Sequence, residues 1–472
     1  MNAAAGFDPG LPPAGASVLV HGLGRFGGGR EALRYLTRRG CRVRVADKSA
    51  GDDLQAVRKA LAEVPSLDWQ LGREDEALLD GVDALVLNPA VPDQHPLLLA
   101  ARARGIAVTQ EVDLFLAAYP GTVVAITGTN GKSTTSTLLH RALLRTGCDA
   151  LLGGNIGHSL LADEAHWRPE QVAVLEVSSF QLERLDPRRA VHGAVFTRVL
   201  KDHVDRHGTL PAYHAAKGRL AQAAAQFVVH AADDPVAAAY PSNARHRYRY
   251  AATAPAPSSA GLLDGFVAVR LTSEPAERLV HTDALRLLGD FQVENVMAAS
   301  LAARLVGGSA HATGVAMADA APLPFRLQLV VVRGGVRIYD NGVSTEVEST
   351  RSALQTLTGR IHWIGGGKSK DGDYATVAAA VAPRIASAHL FGTAAQPLAE
   401  ALAATQARGV PTTVHTKLQE ALPAAFAAAA PGDAVLFSPA FASFDQYPNF
   451  RVRALEFHRW LATQGAPGEA SG

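Results

Sequence analysis

Val123-Val124-Ala125-Ile126-Thr127-Gly128-Thr129-Asn130-Gly131-Lys132-Ser133-Thr134 is the stretch whose reading decides the fold. An apolar run of strand character enters a glycine-rich turn, and the turn opens into the helix-compatible TSTLLHRALLRTG that begins at Thr135. Strand, glycine turn and helix in that order form a phosphate cradle, because successive backbone N–H groups and the positive end of the helix converge on one anion. Gly128, Thr129, Asn130, Gly131, Lys132, Ser133 and Thr134 would supply the cradle, with Lys132 on the terminal phosphates and the Ser133 hydroxyl facing Mg²⁺. Ile126 stands where the general Walker pattern has its first glycine, while the remainder, GTNGKST, is narrower than that pattern.

Downstream, Val172-Ala173-Val174-Leu175 is a second apolar strand that ends in Glu176. A carboxylate at the C-terminal edge of a sheet, beside a phosphate loop, is placed where Mg²⁺ needs an oxygen ligand; a strand-end Glu that only caps the next helix is the plainer alternative. Lys201-Asp202-His203-Val204-Asp205-Arg206-His207 follows, with Tyr213-His214-Ala215-Ala216-Lys217 close behind. On spacing alone His203 and His207 could ligate zinc from one helical face, but no soft third ligand is near in sequence. The preferred expectation is a second Mg²⁺ site using His203 and a derivative of Lys217.

Upstream, Gly22-Leu23-Gly24-Arg25-Phe26-Gly27 follows the apolar run SVLVH, and Asp47 ends the next such run. This is the spacing of a dinucleotide-binding turn, so an NAD site and a nucleotide-diphosphate site both remain open at this point. Short β-branched runs alternate with helical stretches throughout, which predicts an α/β fold of parallel sheets wrapped by helices. The 472 residues, 48% of them hydrophobic, exceed what one core usually holds and predict two or three domains; three, over 1–118, 119–322 and 323–472, fit the series of elements best. QLVVVRGGVRIYD reads as a hairpin opening the third, and the text from Gly261 to Arg286 as an irregular or β-rich insertion before a helix starting near Asp290. The balance of 45 basic to 44 acidic residues gives no reason to expect nucleic acid as a partner, and favours small-molecule substrates. With two cysteines, no secretory leader pattern and no long apolar run, the expected location is the cytoplasm, without a membrane span.

Taken together, GTNGKST, LGGNIG, VLEVSSFQLE, DHVDRHG, YHAAK and SPAFASFDQYPNF resemble the Mur ligases of peptidoglycan synthesis, over about residues 17 to 462. SSFQLE points to the D-glutamate-adding branch. The resemblance implies a UDP-binding Rossmann-like domain, a central P-loop ATPase domain and a C-terminal Rossmann-like domain that brings the amino acid and closes over ATP. It further implies ligation of D-glutamate to UDP-N-acetylmuramoyl-L-alanine, using ATP and two Mg²⁺ ions, by a monomer. It turns the first glycine loop into a UDP-diphosphate site with Gly24, Arg25, Asp47 and Lys48, and puts Asn155 on the muramoyl substrate. Ser133, Glu176, His203 and Lys217 become metal residues, with Lys217 carboxylated to a carbamate, and Asn295 and Arg326 join the ATP site. Thr345, Lys370, Ser443 and Phe450 match the amino-acid pocket. The chain departs from the family at Asn341-Gly342-Val343-Ser344-Thr345, where Val343 replaces a lysine expected to meet glutamate and Asn341 replaces an acid expected to meet the ribose.

Overall fold

The computed structural model describes residues 7–23, 27–49, 54–64, 67–370, 372–405 and 409–464. Gly24 and Arg25 of the expected diphosphate site lie outside these residues. Three sheets organise the chain, matching the α/β expectation.

The first sheet is wholly parallel, in the order Asp68–Leu71, Arg42–Asp47, Ser17–His21, Ala84–Leu87, Ala107–Thr109. Its central strands are apolar on both faces and are covered by helices on either side, as a parallel sheet requires. Strand order reverses on either side of Ser17–His21, so this edge is a topological switch point, where open α/β sheets take their ligands.

The second sheet has nine strands. Thr122–Thr127 runs between Val172–Glu176 and Val191–Phe196, parallel to both. Ser259–Leu263, Phe266–Arg270 and Glu277–His281 form an antiparallel meander at one end, the insertion expected from the text around Gly261. The helix expected near Asp290 runs from Asp290 to Leu305.

The third sheet orders Gln328–Arg333, Val336–Asp340, Ala434–Ala440, Ile361–Gly366, Ser387–Phe391 and Thr412–His415. Its first two strands are the expected hairpin. Gly334 and Gly335 at the tip both have positive φ, 56° and 77°, which is the backbone a two-residue hairpin loop demands.

The chain divides into two compact units, one of residues 1–284 with 294–318 and one of residues 285–293 with 319–472. Within the first unit the two sheets are joined by polar contacts. Arg184 Nε meets Asp93 at 2.9 Å, Gln110 Nε2 donates to the Gln181 carbonyl at 2.8 Å, and Arg206 Nη2 donates to the Val91 carbonyl at 3.1 Å. No helix among the described residues is long and apolar enough to cross a membrane.

Asp113, at this junction, accepts the Asp186 N–H at 3.1 Å, while its second oxygen is buried without a partner. Burial pushes its carboxyl up from 3.8 to about 7, against the lowering effect of the Asp186 hydrogen bond. The folded chain therefore binds more protons than the unfolded chain between those two values, so Asp113 lowers stability as pH rises through that window. Asp113→Asn should flatten the decline in melting temperature between about pH 4 and 7 and stabilise the chain at the alkaline end by on the order of 2 kcal/mol, read by thermal melts across pH.

Candidate active site

The phosphate loop is built by exclusion. Gly131 has φ 85° and Gly128 φ 151°, conformations that disfavour a side chain, and a Cβ at either would collide, with the Asn295 amide oxygen at Gly131 and the Thr197 hydroxyl at Gly128. Gly131 caps the helix Lys132–Arg145 without a side-chain acceptor, and the first turn carries no acidic residue. The helix N-terminus thus keeps its N–H groups and positive end for an anion. Asn295, 6% exposed, accepts a hydrogen bond from Thr135 at 3.3 Å, which fixes the helix starting at Asp290 against the loop.

Strand register places the carboxylate. Glu176 pairs with Ile126 on one side and with Gly154 on the other, one residue before the phosphate loop begins to turn. It is 1% exposed; Oε1 accepts from Asn155 Nδ2 at 2.8 Å, and Oε2 is buried without a hydrogen-bond partner. A buried carboxylate oxygen left without a donor is costly.

Two lysines converge on the loop from opposite sides. Lys132 Nζ donates to the Gly128 carbonyl at 3.0 Å and the Thr129 carbonyl at 2.7 Å, while Lys217 Nζ donates to the same Gly128 carbonyl at 2.8 Å. Lys217, on the helix Leu210–Ala223, is fully buried, with its amine 4.8 Å from the centre of the Tyr213 ring. Burial drives its amine well below the usual lysine range, Lys132 adds to that, and Asp202 and Glu176 oppose it.

Around these groups lies a cleft of about 130 Å³ lined by Gly128, Lys132, Asn155, Asp202, His203 and Lys217, among others. The structure brings Lys132, Asn155, His203 and Lys217 together as the sequence expected, and Glu176 joins them through Asn155. His203 has φ 50°, a strained backbone for a non-glycine residue, and caps the short helix Val204–His207. Its Nε2 lies 3.2 Å from Asp202. His207 turns away to Glu183 at 3.3 Å and the Ser179 hydroxyl at 3.1 Å, so the two histidines do not form the zinc pair that their spacing allowed. Asp202, Ser178 and Tyr213 also line the cleft; Asp202 sits in the DHVDRH run and could have been singled out there.

At the first glycine loop, Asp47 spends its carboxylate on backbone, accepting from the N–H of Leu23 at 2.9 Å and of Ser49 at 3.0 Å. It shapes the turn. Lys48 beside it is exposed.

In the second unit the amino-acid candidates gather at the C-terminal ends of three neighbouring strands. Arg453, fully buried, donates to the carbonyls of Ser344 at 3.3 Å, Gly366 at 3.4 Å and Phe441 at 2.9 Å, and so holds the three loops that carry Thr345, Lys370 and Ser443. Burial holds its guanidinium down to about 10. Phe450 begins the helix Phe450–Thr463 that carries Arg453, behind an Asn449 cap. Lys370 is ion-paired with Glu346, next to Thr345, an acid the sequence did not bring forward. Asn341 packs inward, accepting from Leu327 N–H at 3.2 Å and donating to Ser438 at 3.0 Å. Arg326, half-buried, lies between Phe325 and Leu327, both with positive φ.

Comparison with known proteins agrees with this layout. Residues 16–110 match the Mur ligase MurD-like N-terminal domain, 126–303 the Mur ligase middle domain and 325–441 the Mur ligase glutamate ligase domain. The chain is 35% identical over 457 residues to the UDP-N-acetylmuramoylalanine–D-glutamate ligase of Acidobacterium capsulatum, covering 96% of this chain and 97% of that one. To the enzyme of the same name from Geobacter metallireducens it is 34% identical, covering 94% and 96%. Among solved structures, the UDP-N-acetylmuramate–alanine ligase of Thermotoga maritima superposes with a TM-score of 0.61 at 15% identity, covering 95% of this chain and all of that one. The MurF ligase of Thermotoga maritima, solved in complex with ADP, gives 0.56 at 17% identity, covering 97% of each. With three successive family domains matched and relatives at this identity over nearly the whole chain, the protein belongs to the Mur ligase family.

Proposed function

We propose that the chain joins D-glutamate to UDP-N-acetylmuramoyl-L-alanine at the expense of ATP, in three domains bounded near 118/119 and 322/323. The observation that carries this reading is the pairing of a phosphate loop with a fully buried lysine on its Gly128 carbonyl and, through Asn155, a carboxylate with an orphaned buried oxygen. The loop N–H groups and Lys132 hold the ATP phosphates, and the γ-phosphoryl passes in line to the alanyl carboxylate. The product is an acyl phosphate. The glutamate amine, as the free base, attacks its carbonyl and phosphate leaves, so the chain acts chiefly by holding both partners in line and keeping water out.

The donor set fits Mg²⁺. Glu176 Oε2 is a buried acceptor without a donor, Ser133 follows Lys132 in the first turn of the loop's helix, His203 lines the cleft, and the buried Lys217 amine, as the free base, can add to carbon dioxide. In that addition the nitrogen lone pair forms the N–C bond, one C=O bond of carbon dioxide becomes C–O⁻ and a proton leaves the nitrogen, which puts an anionic oxygen ligand where the amine stood. Bound there, two Mg²⁺ ions would neutralise charge on the transferring oxygens. Asn155, while orienting Glu176, also faces the muramoyl side of the cleft.

The amino-acid pocket supports a second reading. Val343 takes the place of a family lysine, and Lys370, the remaining cation, is engaged by Glu346. That altered charge pattern weakens the hold on glutamate of either hand at Thr345, Lys370, Ser443 and Phe450, and L-glutamate is the second reading.

Lys217→Ala should lose about 100-fold or more in phosphate release and recover part of it with added acetate, whereas Lys132→Ala should lose as much without rescue. Equal turnover of wild type and Lys217→Ala would remove the carbamate. Incorporation of D- and L-glutamate into UDP-N-acetylmuramoyl-L-alanine decides the pocket. The D-enantiomer should be preferred, Lys370→Ala should raise its KM about tenfold, and Val343→Lys should lower it. Faster incorporation of L-glutamate replaces the first reading with the second.

A further inference from the structure

A second cluster of metal-ligating side chains lies outside the cleft, at the C-terminal edge of the first sheet. His21 ends the strand Ser17–His21, Glu74 follows the strand Asp68–Leu71, and His95 caps the helix Pro96–Ala103 behind the strand Ala84–Leu87. The three come from strands on both sides of the switch point. One ligand atom from each lies within 4.8 Å of the other two. Glu74 Oε1 is 3.4 Å from His21 Nε2 and 3.2 Å from His95 Nε2. Bonds of about 2.0 to 2.2 Å in a tetrahedral site put neighbouring ligand atoms roughly 3.3 to 3.6 Å apart, so both separations are close to the edge of such a site.

The state of His21 is the sharper clue. It is 1% exposed, its Nδ1 has no hydrogen-bond partner, and its Nε2 reaches Glu74 only at the far end of hydrogen-bonding range. A buried imidazole with so little to bond is underused as a hydrogen-bonding group. His95 Nδ1 accepts the Leu97 N–H at 3.3 Å, a long contact that ligation through Nε2 would give up. Glu74 is half-exposed and opens a path from solvent.

We propose that His21, Glu74 and His95 form a binding site for a zinc-class divalent ion. Two imidazoles and a carboxylate suit Zn²⁺ better than the all-oxygen preference of Mg²⁺. Three protein ligands leave a fourth position for water or an anionic oxygen. The ion ties together the loops after three strands and adds positive charge one residue before Gly22, at the start of the first glycine turn.

The test is Zn²⁺ binding to the whole, metal-stripped chain by equilibrium dialysis, with Co²⁺ as a visible-absorption probe of four-coordinate geometry. Glu74→Gln removes a ligand at constant shape, and His95→Asn removes one while keeping a good helix cap, with circular dichroism confirming that each variant is folded. Wild type and Glu176→Gln should both bind one ion at this site with the Co²⁺ spectrum of a four-coordinate centre. Glu74→Gln and His95→Asn should each weaken it by at least about tenfold. Stoichiometric binding that survives both substitutions, binding lost in Glu176→Gln, or no binding by the wild type would overturn the proposal.

Discussion

The Gly128 carbonyl is where the first unit's chemistry is settled. Two lysine side chains donate to that one oxygen, from a loop and from a helix, in a pocket closed by the Tyr213 ring. Burial first, and the neighbouring Lys132 second, push the Lys217 amine well below the usual lysine range. The rest of the site answers to that constraint. Gly128 must be glycine because Thr197 closes on it, Gly131 because Asn295 does, and Glu176 is left with an oxygen that only a cation or a donor brought by a ligand can satisfy.

Much of this was legible in the sequence because it is local. A phosphate loop needs a strand, glycines and a helix in immediate succession, and Thr122–Thr127 followed by Lys132–Arg145 supplies them. Glu176 was legible for a similar reason: a polar residue that ends a continuous apolar run can only sit at a sheet edge. The Gly334-Gly335 hairpin and the antiparallel insertion followed from turn chemistry.

What escaped the sequence was set by long-range packing. Arg453 looks like one more helical arginine until the fold puts three loop carbonyls around it, from positions 109, 87 and 12 residues away. Glu346 carries no motif, yet it captures Lys370, so the cation assigned to glutamate already has a partner that a substrate carboxylate must displace. His207 sits four residues from His203 and packs on the same Phe180 ring, but its nitrogens are engaged by Glu183 and Ser179. Asp47, expected at the diphosphate site, holds the turn through the N–H groups of Leu23 and Ser49, contacts that its spacing does not announce. In each case the residue type was informative and the partner was not, because the partner is distant in sequence.

The central claim, that a carboxylate is activated by phosphoryl transfer before the amine attacks, has a direct measurement. The alanyl carboxylate of UDP-N-acetylmuramoyl-L-alanine is labelled with oxygen-18, and the inorganic phosphate released during turnover with ATP and glutamate is analysed by mass spectrometry. An acyl phosphate carries a carboxylate oxygen into the leaving phosphate, so the account predicts one labelled oxygen in each phosphate formed by ligation. Phosphate free of label, with ligated product accumulating at the same rate, would contradict it.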